Sequence, residues 1–170
     1  MNPMKLFLFF LTLFLSGCSP SQNRQENAAE KADLVVVTKN SKNLTLFKQG
    51  KVLGSYSVVF GDNPVGHKLR EADERTPEGG YSLDEKLLNS KFYKALHVSY
   101  PNTQDVERAT RLGVPPGGRI MVHGQRNGLG WASFVTQLFN WTDGCIALSN
   151  ADMETVYNAV SIGTPIEIKP

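Results

Sequence analysis

The chain has 170 residues, 18 of them Lys or Arg and 16 Asp or Glu; so even a balance, +2 net, gives no electrostatic argument for a nucleic-acid partner. It is poor in cysteine, with only Cys18 and Cys145, so a disulfide-stapled scaffold is excluded. In chain order, Lys5 precedes an apolar run from Leu6 to Leu15, followed by the small residues Ser16 and Gly17. A basic start, a short apolar stretch and small residues at its end describe a secretory signal peptide. The run is too short for a bilayer, which takes about 20 apolar residues.

Leu15-Ser16-Gly17-Cys18 resembles the bacterial lipobox. The resemblance implies cleavage before Cys18, diacylglycerol on its sulfur and acylation of its new amine, which together make a stable anchor. Residues 1–17 are then a lipoprotein signal peptide. Residues 18–32 are a lipidated cysteine and a polar, flexible tether, "SPSQNRQENAAEKA". Residues 33–170 have the length of one domain with one core. Ser19, rather than an aspartate, follows the cysteine, which resembles lipoproteins passed to the outer membrane. The expected location is extracytoplasmic, in the periplasm, with membrane contact through the lipid. Cys145 is then the one thiol left in an exported domain: a reactive group, an intermolecular bridge or a small buried hydrophobe.

The domain reads mostly as strand. "DLVVV" (33–37) is a short β-branched run, and "NLTLFKQ" (43–49) alternates with Leu44 and Leu46 on one face. "KVLGSYSVVF" (51–60) follows the turn Gln49-Gly50. Further strands are expected at 79–83, 95–100, 119–124 and 164–169. Residues 61–78 are polar and punctuated by Pro and Gly, a long loop of the kind that carries function.

Two or three helices are expected among these strands. "NADMETVYNAVSIG" sets Met153, Val156, Tyr157 and Val160 on one face, with Ser149 or Asn150 as its cap and Gly163 beyond its end. "TQDVERATRLG" (103–113) closes at Gly113. "WASFVTQLF" (131–139) lines up Trp131, Phe134, Val135 and Leu138, a stripe read as facing the core. Cys145 falls just before the helix that starts near Ala151, on a turn or a strand end.

A cysteine nucleophile needs a base or a cation beside it. Of the three histidines, His123 ends an apolar strand next to Gly124 and is the candidate base. His67 sits in the polar loop, and His97 mid-strand reads as structural. "VHG" (122–124) followed by "TDGC" (142–145) resembles the signature of the L,D-transpeptidase catalytic domain, the YkuD domain: His-Gly, then Ser/Thr-x-Gly-Cys. "RTPEGGY" (75–81) resembles that family's Thr-Pro-x-Gly-x-Tyr/Phe segment. "FYKALHVSYPN" (92–102), "PPGGRIMVHG" (115–124) and the N-terminal strands also match in order.

The resemblance implies a mainly β fold, a YkuD-like β-sandwich with a few short helices outside it. It implies attack on a peptidoglycan stem peptide by Cys145, with His123 as base. Thr142, Asp143 and Gly144 support the cleft, with amides around Gly144-Cys145 as the oxyanion hole. Arg75 and Thr76 are candidates for a substrate loop or a simple buttress. No cofactor is implied, and no metal, since nothing has metal-ligand spacing.

Two positions depart from the pattern: Asp143 stands where many relatives have histidine, and Ala147 where they have arginine, which puts donor recognition in doubt. Three functions stay open. The thioester is passed to an amine (transpeptidation), or ended by water (an amidase or L,D-carboxypeptidase), or the chain only binds the cell wall.

Overall fold

Alternation gives the sheet its buried face. In β1 (Leu34–Thr38) Val35 and Val37 are buried; in β2 (Asn43–Lys48) Leu44 and Leu46 are. Every second side chain thus turns into the core. The computed structural model describes residues 30–170. The expected signal peptide, Cys18 and the tether as far as residue 29 lie outside the described residues.

Gln49 and Gly50 turn the chain from β2 into β3 (Lys51–Ser57), with φ of 50° and 74°. β4 (Gly79–Ser90), β5 (Tyr93–Val98), β6 (Met121–His123), β7 (Ile146–Ala147) and β8 (Thr164–Lys169) complete one sheet in the order β3-β2-β1-β8-β4-β5-β6-β7. The last strand enters the middle, parallel to β1 and antiparallel to β4. Beyond β3 the chain crosses to the far edge. There Val59 and Ala147 exchange backbone hydrogen bonds at 3.0 and 2.9 Å, and Gly61 bridges Thr142. The two edges meet, so one curled sheet supplies both walls of the mainly β fold.

Its interior holds Phe60, Leu83, Leu96, Val122, Ile146, Leu148 and Ile166, all essentially without solvent contact. β4 runs past the expected residue 83 to Ser90, because its charged second half pairs with β5. β7 was not expected at all. Residues 61–78 form no helix or regular strand, as expected for a long loop.

Helix α1 (Thr103–Arg111) starts at a reciprocal cap. The Asn102 side chain accepts from the Asp105 amide, and the Asp105 carboxylate accepts from the Asn102 amide, both at 3.1 Å. Helix α3 (Asn150–Ala159) is capped by Ser149, and buries Met153, Val156 and Ala159. The stripe at 131–139 differs from expectation. Only Ser133–Thr136, α2, is α-helical, behind a 3-10 turn at Gly130–Ala132. Trp131, Phe134 and Leu138 are 73%, 69% and 75% exposed, so they are not core contacts. One helical turn is too short to hold a continuous face against the sheet. The segment instead turns Leu129, Thr136 and Phe139 towards a cavity.

Candidate active site

β6 and β7 are parallel neighbours, with Val122 opposite Ile146 and His123 opposite Ala147. Cys145 directly precedes β7, one step back in that register, beside Met121. Met121 and His123 are two apart and so share a face. Cys145 joins them there, and Met121, His123 and Cys145 line one cavity of about 550 Å³. Two residues separated by twenty-two positions in sequence meet because two strand ends lie side by side.

His123 is buried. Its ring stacks obliquely on Phe92, centroids 4.6 Å apart, and meets the edge of Trp141 at 5.8 Å. These apolar neighbours disfavour the imidazolium, and burial lowers its pKa against the opposing pull of the Gly124 carbonyl. That carbonyl lies 2.6 Å from Nδ1. A carbonyl only accepts, so Nδ1 carries the proton and Nε2 is left as the base. Gly124 itself is crowded: a Cβ there would lie 2.7 Å from Asn150 Oδ1 and 3.0 Å from Tyr93 Cβ.

Cys145 sits on a turn held by its neighbours. Thr142 Oγ1 donates to the Cys145 carbonyl at 2.8 Å and accepts from the Gly144 amide at 3.2 Å. Thr76 Oγ1 donates to the Gly144 carbonyl at 2.9 Å from behind. Gly144 has φ of 112°, and a Cβ on it would fall 2.4 Å from the Arg75 carbonyl, so only glycine fits. Burial raises the thiol pKa, and the Asp143 carboxylate adds to the rise; the Met121 amide and Lys68 pull the other way. The resting pair is therefore a neutral thiol and a neutral imidazole. The thiol points at the Arg119 carbonyl, 3.8 Å away, rather than at His123.

Thr142, Asp143, Cys145 and His123 all line the cavity, and Thr76 and Gly144 brace it from outside. Arg75 does not enter it. Its side chain lines a separate cavity with Asn63 and Leu112, and its contribution is the backbone carbonyl against Gly144. The loop that carries Arg75 and Thr76 is ordered by Asp73, which accepts from Leu69 and Arg70 amides at 2.7 and 3.1 Å, the Arg75 amide at 3.1 Å and Lys68 Nζ at 2.7 Å. Burial pushes that carboxyl up, yet these bonds hold it below the usual carboxylate range.

His67 and His97 lie elsewhere. His67 pairs with Asp105 at 3.0 Å, and His97 with Asp84 at 2.6 Å. Among the described residues no group of three His, Cys, Asp or Glu is placed to hold a metal ion. Sequence reasoning missed Phe92, Trp141 and Gln125. Gln125 is buried, accepting from Thr136 Oγ1 and donating to the Leu148 carbonyl, both at 2.6 Å, which ties α2 to the strand after Cys145. Trp141 stands next to the cysteine motif and Phe92 opens the matched stretch 92–102, signals available in sequence; nothing local marks Gln125.

The chain is similar to known proteins. The sequence model of the L,D-transpeptidase catalytic domain, YkuD, matches residues 32–168. YafK of Escherichia coli (strain K12), named as a candidate L,D-transpeptidase, is 26% identical over 133 residues, 75% of this chain and 46% of YafK. YqjB of Bacillus subtilis (strain 168), named likewise, is 26% identical over 164 residues, 94% of this chain and 84% of YqjB. Among solved structures, the helical cell shape determining protein Pgp2 of Campylobacter jejuni (K307A mutant) superposes with a TM-score of 0.62 at 25% identity, over 83% of this chain and 48% of Pgp2. An L,D-transpeptidase from Mycobacterium tuberculosis H37Rv shares the fold, with a TM-score of 0.54 at 21% identity over 82% of this chain and 58% of that one. The chain thus spans about half the length of YafK and of Pgp2. With the family's domain matched almost from end to end of the described residues, the chain belongs to the L,D-transpeptidase catalytic domain (YkuD) family.

Proposed function

We propose that the chain is a cysteine acyltransferase that acts on peptidoglycan stem peptides through a thioester on Cys145. The observation that carries this reading is the pairing of Cys145 and His123 on one face of a single cavity, with Nε2 left as the base. When substrate enters, the thiol turns from the Arg119 carbonyl towards His123. Nε2 takes the thiol proton as sulfur attacks the carbonyl before the terminal residue. The oxyanion is met by backbone amide at the cysteine turn. The Gly144 amide is engaged with Thr142 Oγ1, so the Cys145 amide is the donor assigned this role. The tetrahedral intermediate collapses, the imidazolium gives its proton to the departing amine, and a thioester remains. An acceptor amine then attacks, losing a proton to His123, and the thiol is restored.

Asp143 supports an amine acceptor over water. It lines the cavity, and its carboxylate attracts a cationic amine towards the thioester, where the ammonium gives one proton to solvent before the neutral amine attacks. The test is mass spectrometry of peptidoglycan fragments after incubation with the protein. Cross-linked stems support transfer; stems that are only shortened mean that water ends the thioester, and unchanged fragments overturn both.

We also propose that the chain is a lipoprotein. This reading rests on Leu15-Ser16-Gly17-Cys18 and places the domain in the periplasm on a membrane anchor. Metabolic labelling with a fatty-acid analogue is expected to mark the wild type and not Cys18→Ala. An unlabelled wild type overturns the anchor.

A further inference from the structure

Arg119, Met121, His123 and Gln125 line the cavity from β6 and the chain on either side of it, beside Asp143 and Cys145. Arg119 touches Cys145 through its backbone, its carbonyl lying 3.8 Å from Sγ, and it lines the same cavity. It also has φ of 56°, a left-handed conformation in a residue that is not glycine. Strain of this kind is concentrated at functional sites. Its guanidinium is 71% exposed, and its one charged partner among the described residues is Glu85 at 3.5 Å, itself exposed. So loose a pair leaves the side chain free to take another carboxylate.

The other cations near the thiol are less available. Lys68 is buried and already paired with Asp73 at 2.7 Å. Arg126 also lines the cavity, but no contact of its own with Cys145 is seen. Ala147 is fully buried and uncharged.

We propose that Arg119 binds the terminal carboxylate of the donor peptide, one residue beyond the carbonyl that Cys145 attacks. The proposal rests on the acyl-transfer reading above. One residue of extended chain spans roughly 3.3–3.6 Å, so a carboxylate there lies within reach of an arginine whose own backbone touches the sulfur. The planar guanidinium matches it with two parallel hydrogen bonds. A donor ending one residue after the attacked carbonyl fits. One more residue moves the charge away and sets a neutral amide before Arg119.

The experiment compares a tetrapeptide stem that has a free terminal carboxylate with the same stem amidated at that terminus. Wild type is expected to lose roughly tenfold to a hundredfold in kcat/KM on the amide, the range for a hydrogen-bonded charge. Arg119→Met is expected to turn over both stems alike, at the rate of wild type on the amide, and Arg119→Lys to recover part of the preference. Discrimination unchanged in Arg119→Met overturns the proposal. Calorimetric binding of both stems to Cys145→Ala, with and without Arg119→Met, separates the two readings. If wild type turns over neither stem while Cys145→Ala binds the free acid more tightly and Arg119→Met removes the difference, the reaction falls and the carboxylate site stands. Equal binding of acid and amide, or none, overturns the site.

Discussion

Cys145 and His123 form a pair whose charges are suppressed at rest. Burial moves the thiol pKa up and the imidazole pKa down, so the ion pair is not the ground state. In the proposed reaction, proton transfer is then coupled to attack, and the two residues act as one unit. Cys145→Ala and His123→Ala are each expected to lower turnover by about a thousandfold or more, and the double variant by no more than either. Steady-state kinetics on stem peptides check this. The pH profile carries the same signature. Because His123 stays neutral to lower pH than a free imidazole, kcat/KM is expected to hold through the ordinary histidine range and fall only below it. A fall centred at or above that range contradicts the buried, stacked ring. Stability follows with a defined sign. The unfolded chain protonates His123 first, so folding stability declines as pH drops below the unfolded histidine value. Denaturant melts across that window measure the decline.

At the scale of elements, the turn before β7 is tightly held, and two of its positions have separate expected costs. Gly144→Ala places a methyl against the Arg75 carbonyl at a positive φ; a loss of roughly 1–3 kcal/mol is expected, with a larger loss of activity. Thr76→Val removes one buried bond to the Gly144 carbonyl and should cost about 1 kcal/mol while lowering kcat more than it raises KM. Chemical denaturation and kinetics on the same variants separate the two effects. The segment around α2 offers the opposite case. Trp131→Ser and Leu138→Ser are expected to change stability by less than about 0.5 kcal/mol, because both side chains already face solvent. A large loss there would mean that the stripe is buried after all. The stripe was legible as apolar and helical in spacing; what it faces was not, since periodicity gives a direction around a helix axis and no partner.

At the scale of the molecule, the fold depends on pairings that close late in the chain. β8 sits between β1 and β4, and the stretch after β3 joins the far edge at Ala147, two residues from Cys145. Phe60, fully buried at that seam, accepts from the Trp141 and Thr142 amides through its carbonyl at 2.9 and 3.0 Å. Phe60→Ala is expected to destabilise the domain by about 3–5 kcal/mol, and to lower activity at temperatures where the fold persists. Unfolding curves read the first effect and turnover below the transition the second.

The sequence by itself determined the local structure and the chemistry-bearing types: the β-branched run of β1 and the alternation of β2, the cap at Ser149, and a cysteine and a histidine at strand ends with glycines beside them. These rest on free energies that act between residues a few positions apart, so their pattern is written along the chain. Only the tertiary structure decided that Met121 lies beside Cys145, that Phe92 and Trp141 enclose His123, that Arg75 turns away from the cleft, and that the Arg119 carbonyl meets the sulfur. Those contacts depend on which strand edges pair and how the sheet curls to bury its apolar face. That is a property of the whole core, and no local stretch of sequence specifies it.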